Sequence, residues 1–166
     1  MAELNIAESK TLKWEGGYCN VAGDRGGETI FGIARHMHPK LSLWGIMDTY
    51  KRNYESFGKA NYKELENLCL GNAEFKKEMD NFYRKEFWDK IKGDCIESQV
   101  VANALYDFAV NSGVSRAVKS IQEILGVAVD GSLGAKTIAA INSKDGKELC
   151  NKLCDKRKAF FEAIAK

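Results

Sequence analysis

The sequence predicts a mainly helical α+β fold, a helical bundle with one small β-hairpin, and three observations predict it. Apolar residues recur at helical spacing through most of the chain, the pattern that gives a helix one buried stripe. A single glycine-rich window, residues 16–33, interrupts that pattern and holds the best strand candidate, Thr29-Ile30-Phe31. The chain has 166 residues, 45% of them hydrophobic and 29% charged, with one proline. That is enough to bury a core, and it offers no composition break that would mark a linker.

Taken in order, Leu4, Ala7, Thr11 and Trp14 place a first helix that ends near Trp14-Glu15, where Gly16-Gly17 stop it. Residues 16–33 read as loop plus hairpin. In residues 35–60, Pro39 and Gly58 break the pattern and leave Ser42 to Arg52 as one possible helix. Asn72 reads as an N-cap for a helix whose stripe is Phe75, Met79, Phe82 and Tyr83, reaching toward Phe87 and Trp88. The next helix carries Val101, Ala104, Leu105, Phe108 and Ala109 and ends at Gly113. Ser115 is expected to cap the following helix, with Ala117, Val118, Ile121, Ile124 and Leu125 on one face. Residues 130–134 form a turn, residues 135–141 a short helix, and Leu149, Leu153, Phe160 and Ile164 define the last helix.

Composition narrows the function classes. A net charge of +2 is too small to argue for nucleic acid as a partner. No apolar run approaches the roughly 20 residues a membrane span needs, so no stable membrane insertion is expected. The Met1-Ala2-Glu3-Leu4-Asn5 start has neither the basic nor the apolar part of a Sec-type signal. The five cysteines contain no Cys-x-x-Cys pair, so a zinc site is not expected and a reduced compartment is. Cys150 and Cys154, one helical turn apart, read as core packing. His36 and His38 would face different sides of a helix, and no metal is assigned to them. Lys156-Arg157-Lys158 reads as a solvated helix face.

The chemistry concentrates in the glycine window. Trp14-Glu15-Gly16-Gly17-Tyr18 is followed by Asp24-Arg25-Gly26-Gly27-Glu28-Thr29. Two acids and a hydroxyl beside aromatics suit cleavage of a glycosidic bond: one carboxylic acid protonates the leaving oxygen, and a second polar group steadies the sugar cation or orients water. Glycines let a bulky sugar approach the backbone. A helix C-terminus and nearby aromatics favour the protonated form of Glu15. Glu15 reads equally as a helix-terminal surface carboxylate, and Glu28 is the next acid in line. Asp107 and Asn111, one turn apart, form a polar patch, either a hydrogen-bonded support or a direct substrate contact. Asp130-Gly131 favours a tight turn.

At these residues the chain resembles glycoside hydrolase family 108, which contains lysozyme-like N-acetylmuramidases of phages, prophages and bacterial secretion loci. Glu15-Gly16-Gly17-Tyr18, Asp24, Gly26-Gly27, Thr29 and Gly32-Ile33 are similar to its catalytic pattern. Residues 107–113 (Asp107 to Gly113), with Gln122, Leu125-Gly126, Asp130-Gly131, Gly134 and Thr137, resemble the peptidoglycan-binding segment that follows it. The resemblance implies a lysozyme-like α+β fold, with residues 1–94 as the catalytic segment and 95–166 as a helical peptidoglycan-binding segment packed into the same compact domain. It implies Glu15 as the general acid, with Asp24 and Thr29 near the second acid and the hydroxyl of phage-type lysozymes. The Asp24-to-Thr29 interval is one residue shorter than theirs. Gly16, Gly17, Tyr18, Gly26, Gly27, Asp107, Asn111 and Asp130 are the expected substrate contacts. The implied substrate is peptidoglycan, cut at the β-1,4 bond between N-acetylmuramic acid and N-acetylglucosamine without a cofactor. A lytic transglycosylase and a non-catalytic wall-binding or secretion-accessory protein of the same fold are the alternatives. The protein is expected to act in the periplasm or cell wall after release by a holin or an export system.

Overall fold

The computed structural model describes residues 1–11, 17–20, 23, 26–55 and 62–165. They fall into two compact units. Trp14–Phe82 form the sheet unit, and Met1–Lys13 with Tyr83–Lys166 form the helical unit.

In the sheet unit the expected hairpin is joined by a third strand. Strands β1 (Tyr18–Asn20), β2 (Glu28–Ile30) and β3 (Ile33–Ala34) pair antiparallel in the order β1-β2-β3. Phe31 falls in the turn, not in the strand. Phe31 and Gly32 have φ of +48° and +82°, the left-handed pair that a two-residue hairpin turn requires. Two-residue β3 is too short to show any periodicity in the sequence. Tyr18, Ile30 and Ile33 pair across one face and are buried. Leu43, Trp44 and Met47 of the same unit are buried as well.

Helix α2 (Leu43–Glu55) fills the ambiguous stretch as a full amphipathic helix, and α3 (Tyr62–Gly71) follows. Helix α3 is not expected from the sequence: it buries only Leu65 and Cys69 and leaves Leu68 and Leu70 exposed, so it shows no strong apolar stripe. Asn72 caps α4 (Ala73–Tyr83) as expected: its Oδ1 accepts from the Phe75 amide at 3.0 Å.

The helical unit contains α1 (Leu4–Thr11), α5 (Gln99–Ser112), α6 (Val114–Leu125), α7 (Ala135–Asn142) and α8 (Gly146–Ala165). Helix α1 packs on α5. The Ala2 amide donates to the Ile96 carbonyl at 2.8 Å, and Gln99 brackets the Glu3 backbone, accepting from its amide at 2.7 Å and donating to its carbonyl at 3.1 Å. A π-helical turn, Arg84–Trp88, precedes α5. There the Trp88 ring lies against Gly93, where a Cβ would stand 2.2 Å from the indole, and the indole N–H donates to Asp94 at 2.8 Å.

Four local expectations need correction. Gly113, not Ser115, stands at the N-cap of α6, and Ser115 lies inside its first turn. Cys150 is half-buried and Cys154 exposed, so the pair is not core packing. Lys156 and Arg157 are ion-paired to Glu123 and Asp107, so the run is not simply solvated. Ile164 is 64% exposed, so the apolar stripe of α8 is not buried to its end. The expected end of the first helix at Trp14-Glu15 lies outside the described residues. No helix among the described residues is long and apolar enough to cross a membrane.

Candidate active site

Of the three expected catalytic residues, Thr29 is described, whereas Glu15, Asp24 and the neighbouring Gly16 lie outside the described residues. Strand register decides where Thr29 points. Tyr18 pairs with Ile30 and Asn20 with Glu28, so Cys19, Thr29 and Ala34 share the opposite face. Thr29 is half-buried there, and its hydroxyl has no hydrogen-bond partner among the described residues. It is available for a water or a sugar hydroxyl.

The other face carries a charge network. Glu28 accepts from the Tyr18 hydroxyl at 2.6 Å, from Arg35 at 2.8 Å and from Lys51 at 2.9 Å. Arg35 in turn grips Asp48 with both terminal nitrogens, at 2.8 and 2.7 Å, and its guanidinium sits 5.4 Å from the centre of the Trp44 ring. Burial would raise the Glu28 carboxyl, but the hydrogen bonds from Tyr18, Lys51 and Arg35 outweigh it and hold it at about 2. Glu28 is therefore ionised near neutral pH and, held in this network, poorly suited to proton donation. Burial, and then its bond to Glu28, raises the Tyr18 phenol.

This network was not legible from the glycine window. Arg35, Asp48 and Lys51 are supplied by the segment after β3 and by one face of α2, where Trp44, Met47 and Asp48, and Lys51 recur at helical spacing.

The glycines on either side have distinct tasks. A Cβ on Gly17 would fall 1.9 Å from Glu66 Oε1. Glu66, from α3, needs that approach because its Oε1 accepts the Tyr18 amide at 2.8 Å. Tyr18 is itself buried and tilted against Tyr62, ring centres 4.8 Å apart. The Gly26 carbonyl meets His36 Nδ1 at 3.0 Å, and Gly27 takes φ +60°. His38 packs edge-on against Phe82.

Asp107, Asn111 and Asp130 belong to the helical unit. Asp107 pairs with Arg157 of α8, and the Asn111 amide donates to the Asp107 main-chain carbonyl at 2.9 Å. Asp130 and its turn are organised by Gln122, which is 1% exposed. Gln122 Nε2 donates to Asp130 Oδ1 at 2.9 Å, Ser132 O at 3.0 Å and Thr137 Oγ1 at 3.3 Å. Its Oε1 accepts the Asp130 and Gly131 amides at 3.2 and 3.0 Å. Hydrogen bonds from the Ser132 amide and then Gln122 lower the Asp130 carboxyl.

The family model described as "Glycosyl hydrolase 108" matches residues 9–113, and the one described as "Predicted Peptidoglycan domain" matches residues 116–166. The solved structure of Brucella abortus SagA is similar at 33% identity and a TM-score of 0.65, over 95% of this chain and 79% of that one. No curated protein matches.

Proposed function

The chain belongs to the glycosyl hydrolase 108 family, and from that premise we propose an N-acetylmuramidase with Glu15 as its general acid. The family makes it a glycoside hydrolase, and the adjoining peptidoglycan segment makes peptidoglycan its substrate. The bond we assign is the β-1,4 link from N-acetylmuramic acid to N-acetylglucosamine. Glu15 protonates the leaving oxygen, ionised Asp24 steadies the positive charge or activates a water, and Thr29 helps hold that water. The observation that supports this reading most is the charge state of Glu28: with its carboxyl held at about 2, the glycine window keeps Glu15 as its candidate proton donor. The Thr29 hydroxyl, without a protein partner among the described residues, supports the water-holding role.

A water between sugar and Asp24 requires carboxyl groups roughly 6.5–9.5 Å apart and inverts the anomeric centre. The test is product analysis on purified peptidoglycan. Mass spectrometry should show reducing muramic-acid ends, and proton NMR should show the α-anomer first. Anhydro ends would make the enzyme a lytic transglycosylase, a β-anomer would make it a retaining hydrolase, and no products would make it a non-catalytic wall-binding or secretion-accessory protein. On this reading the protein serves as an endolysin-like enzyme of a prophage or as a secretion-associated enzyme. It acts in the periplasm or wall after release by a holin or export system.

A further inference from the structure

The helical unit has a groove of about 640 Å³ between α6 and α8. Its walls carry three cations, Arg116, Lys119 and Lys156, and one acid, Glu123. Lys156 is satisfied by Glu123 at 2.6 Å. Arg116 and Lys119 are exposed and have no ion-pair partner among the described residues. The Arg116 guanidinium stands over the Phe160 ring, 4.1 Å from its centre, which holds the cation at the groove wall. Ser112 also lines the groove. Helix α6 starts on Gly113 with no side-chain cap, so its first amides and the positive end of its dipole add to the same potential.

The Gln122-organised turn borders this groove. A Cβ on Gly131 would stand 3.0 Å from Ser115 Oγ and 3.2 Å from Lys119 Cε, and Gly131 takes φ +79°. The turn therefore lies against the wall that carries Lys119, and its left-handed backbone favours glycine there.

Resting on the peptidoglycan reading, we infer that this groove binds the carboxylates of the acidic stem peptide rather than the glycan. The glycan of alternating N-acetylglucosamine and N-acetylmuramic acid, its lactyl carboxyl amide-linked to the peptide, is neutral and offers hydroxyls and amides, whereas the stem peptide carries free carboxylates. Two unpaired cations and uncapped amides match carboxylates, and Phe160 offers an apolar surface to the peptide's short side chains.

The test is a nitrogen-15 NMR titration of the full chain with three probes: the free tetrapeptide L-Ala-γ-D-Glu-meso-diaminopimelate-D-Ala, chitotriose, and inorganic phosphate. The tetrapeptide should shift the Gly113, Ser115 and Arg116 amides saturably, and less so as salt rises. Arg116→Gln with Lys119→Gln should weaken that binding at least about tenfold with an unchanged melting temperature. If the pair of changes unfolds the chain, Lys119→Glu alone at its exposed position should still weaken binding. Shifts of these amides by chitotriose and not the tetrapeptide would overturn the inference in favour of a sugar subsite. Equal shifts by phosphate would reduce it to a general anion site, and no shifts would end it. Cleavage of peptidoglycan without groove shifts would sink the groove alone, and groove shifts without cleavage would sink the muramidase alone.

Discussion

A carboxylate fixed by a phenol, an ammonium and a guanidinium stabilises the fold only while it is ionised. Glu28 is in that position, with a side chain 13% exposed. Its folded value of about 2 lies below the ordinary 4.5, so its stabilisation is fully present above about pH 4.5 and is lost as pH falls toward 2. A shift of that size corresponds to about 3 kcal/mol as an upper figure. Glu28→Gln should destabilise the chain by about 1–3 kcal/mol at neutral pH and flatten the fall in stability between pH 4.5 and 2. Urea unfolding at several pH values checks this, and an unchanged pH slope would show the network to be energetically idle. Glu15→Gln should behave in the opposite way. It removes a proton donor and keeps the shape, so activity on peptidoglycan should fall at least about 100-fold with a near wild-type melting curve. Retention of more than a tenth of the activity would move the acid elsewhere.

Among the elements, the 130–134 turn depends on one side chain from the preceding helix. Gln122 bonds two amides, one carbonyl and two side chains across the step from α6 to α7. Gln122→Leu keeps most of the volume and removes all five bonds. It should cost about 2 kcal/mol, since part of the freed backbone can reach water. Hydrogen exchange of the Asp130 and Gly131 amides should speed up by at least about tenfold, whereas the amides of α5 should stay protected. Equal acceleration in both places would mean that Gln122 holds the whole unit and not the turn.

For the whole molecule, the two ends of the sequence share a unit. Helix α1 packs on α5 and is tied to it through Gln99 and the Ala2-to-Ile96 bond. A cut after Gly93 removes α5 and exposes the apolar face of α1, including Leu4 and Ala7, which are buried in the intact unit. The 1–93 fragment should therefore be insoluble or melt without cooperativity. A fragment with a sharp calorimetric transition would show that the N-terminal part folds alone.

What the sequence by itself determined is local. Asn72 and Gly113 sit where helix ends need them, the apolar stripes of α4, α5 and α6 fall at helical spacing, and the Asp130-Gly131 turn forms where its residues allow a tight reversal. Such features depend on a few neighbouring residues, so order along the chain suffices to read them. The family pattern was legible for the same reason, since Glu15 to Ile33 carries it as a contiguous run. Only the tertiary structure decided the charge on Glu28, because the Arg35 and Lys51 groups that fix it arrive from β3's far end and from α2. It decided that Gly17 is glycine because of Glu66, 49 positions along the chain in α3. It likewise turned Lys156 and Arg157 from a solvated run into partners of Glu123 and Asp107. Charges and side-chain volumes act through space over a few ångströms, and sequence distance says nothing of which groups come that close.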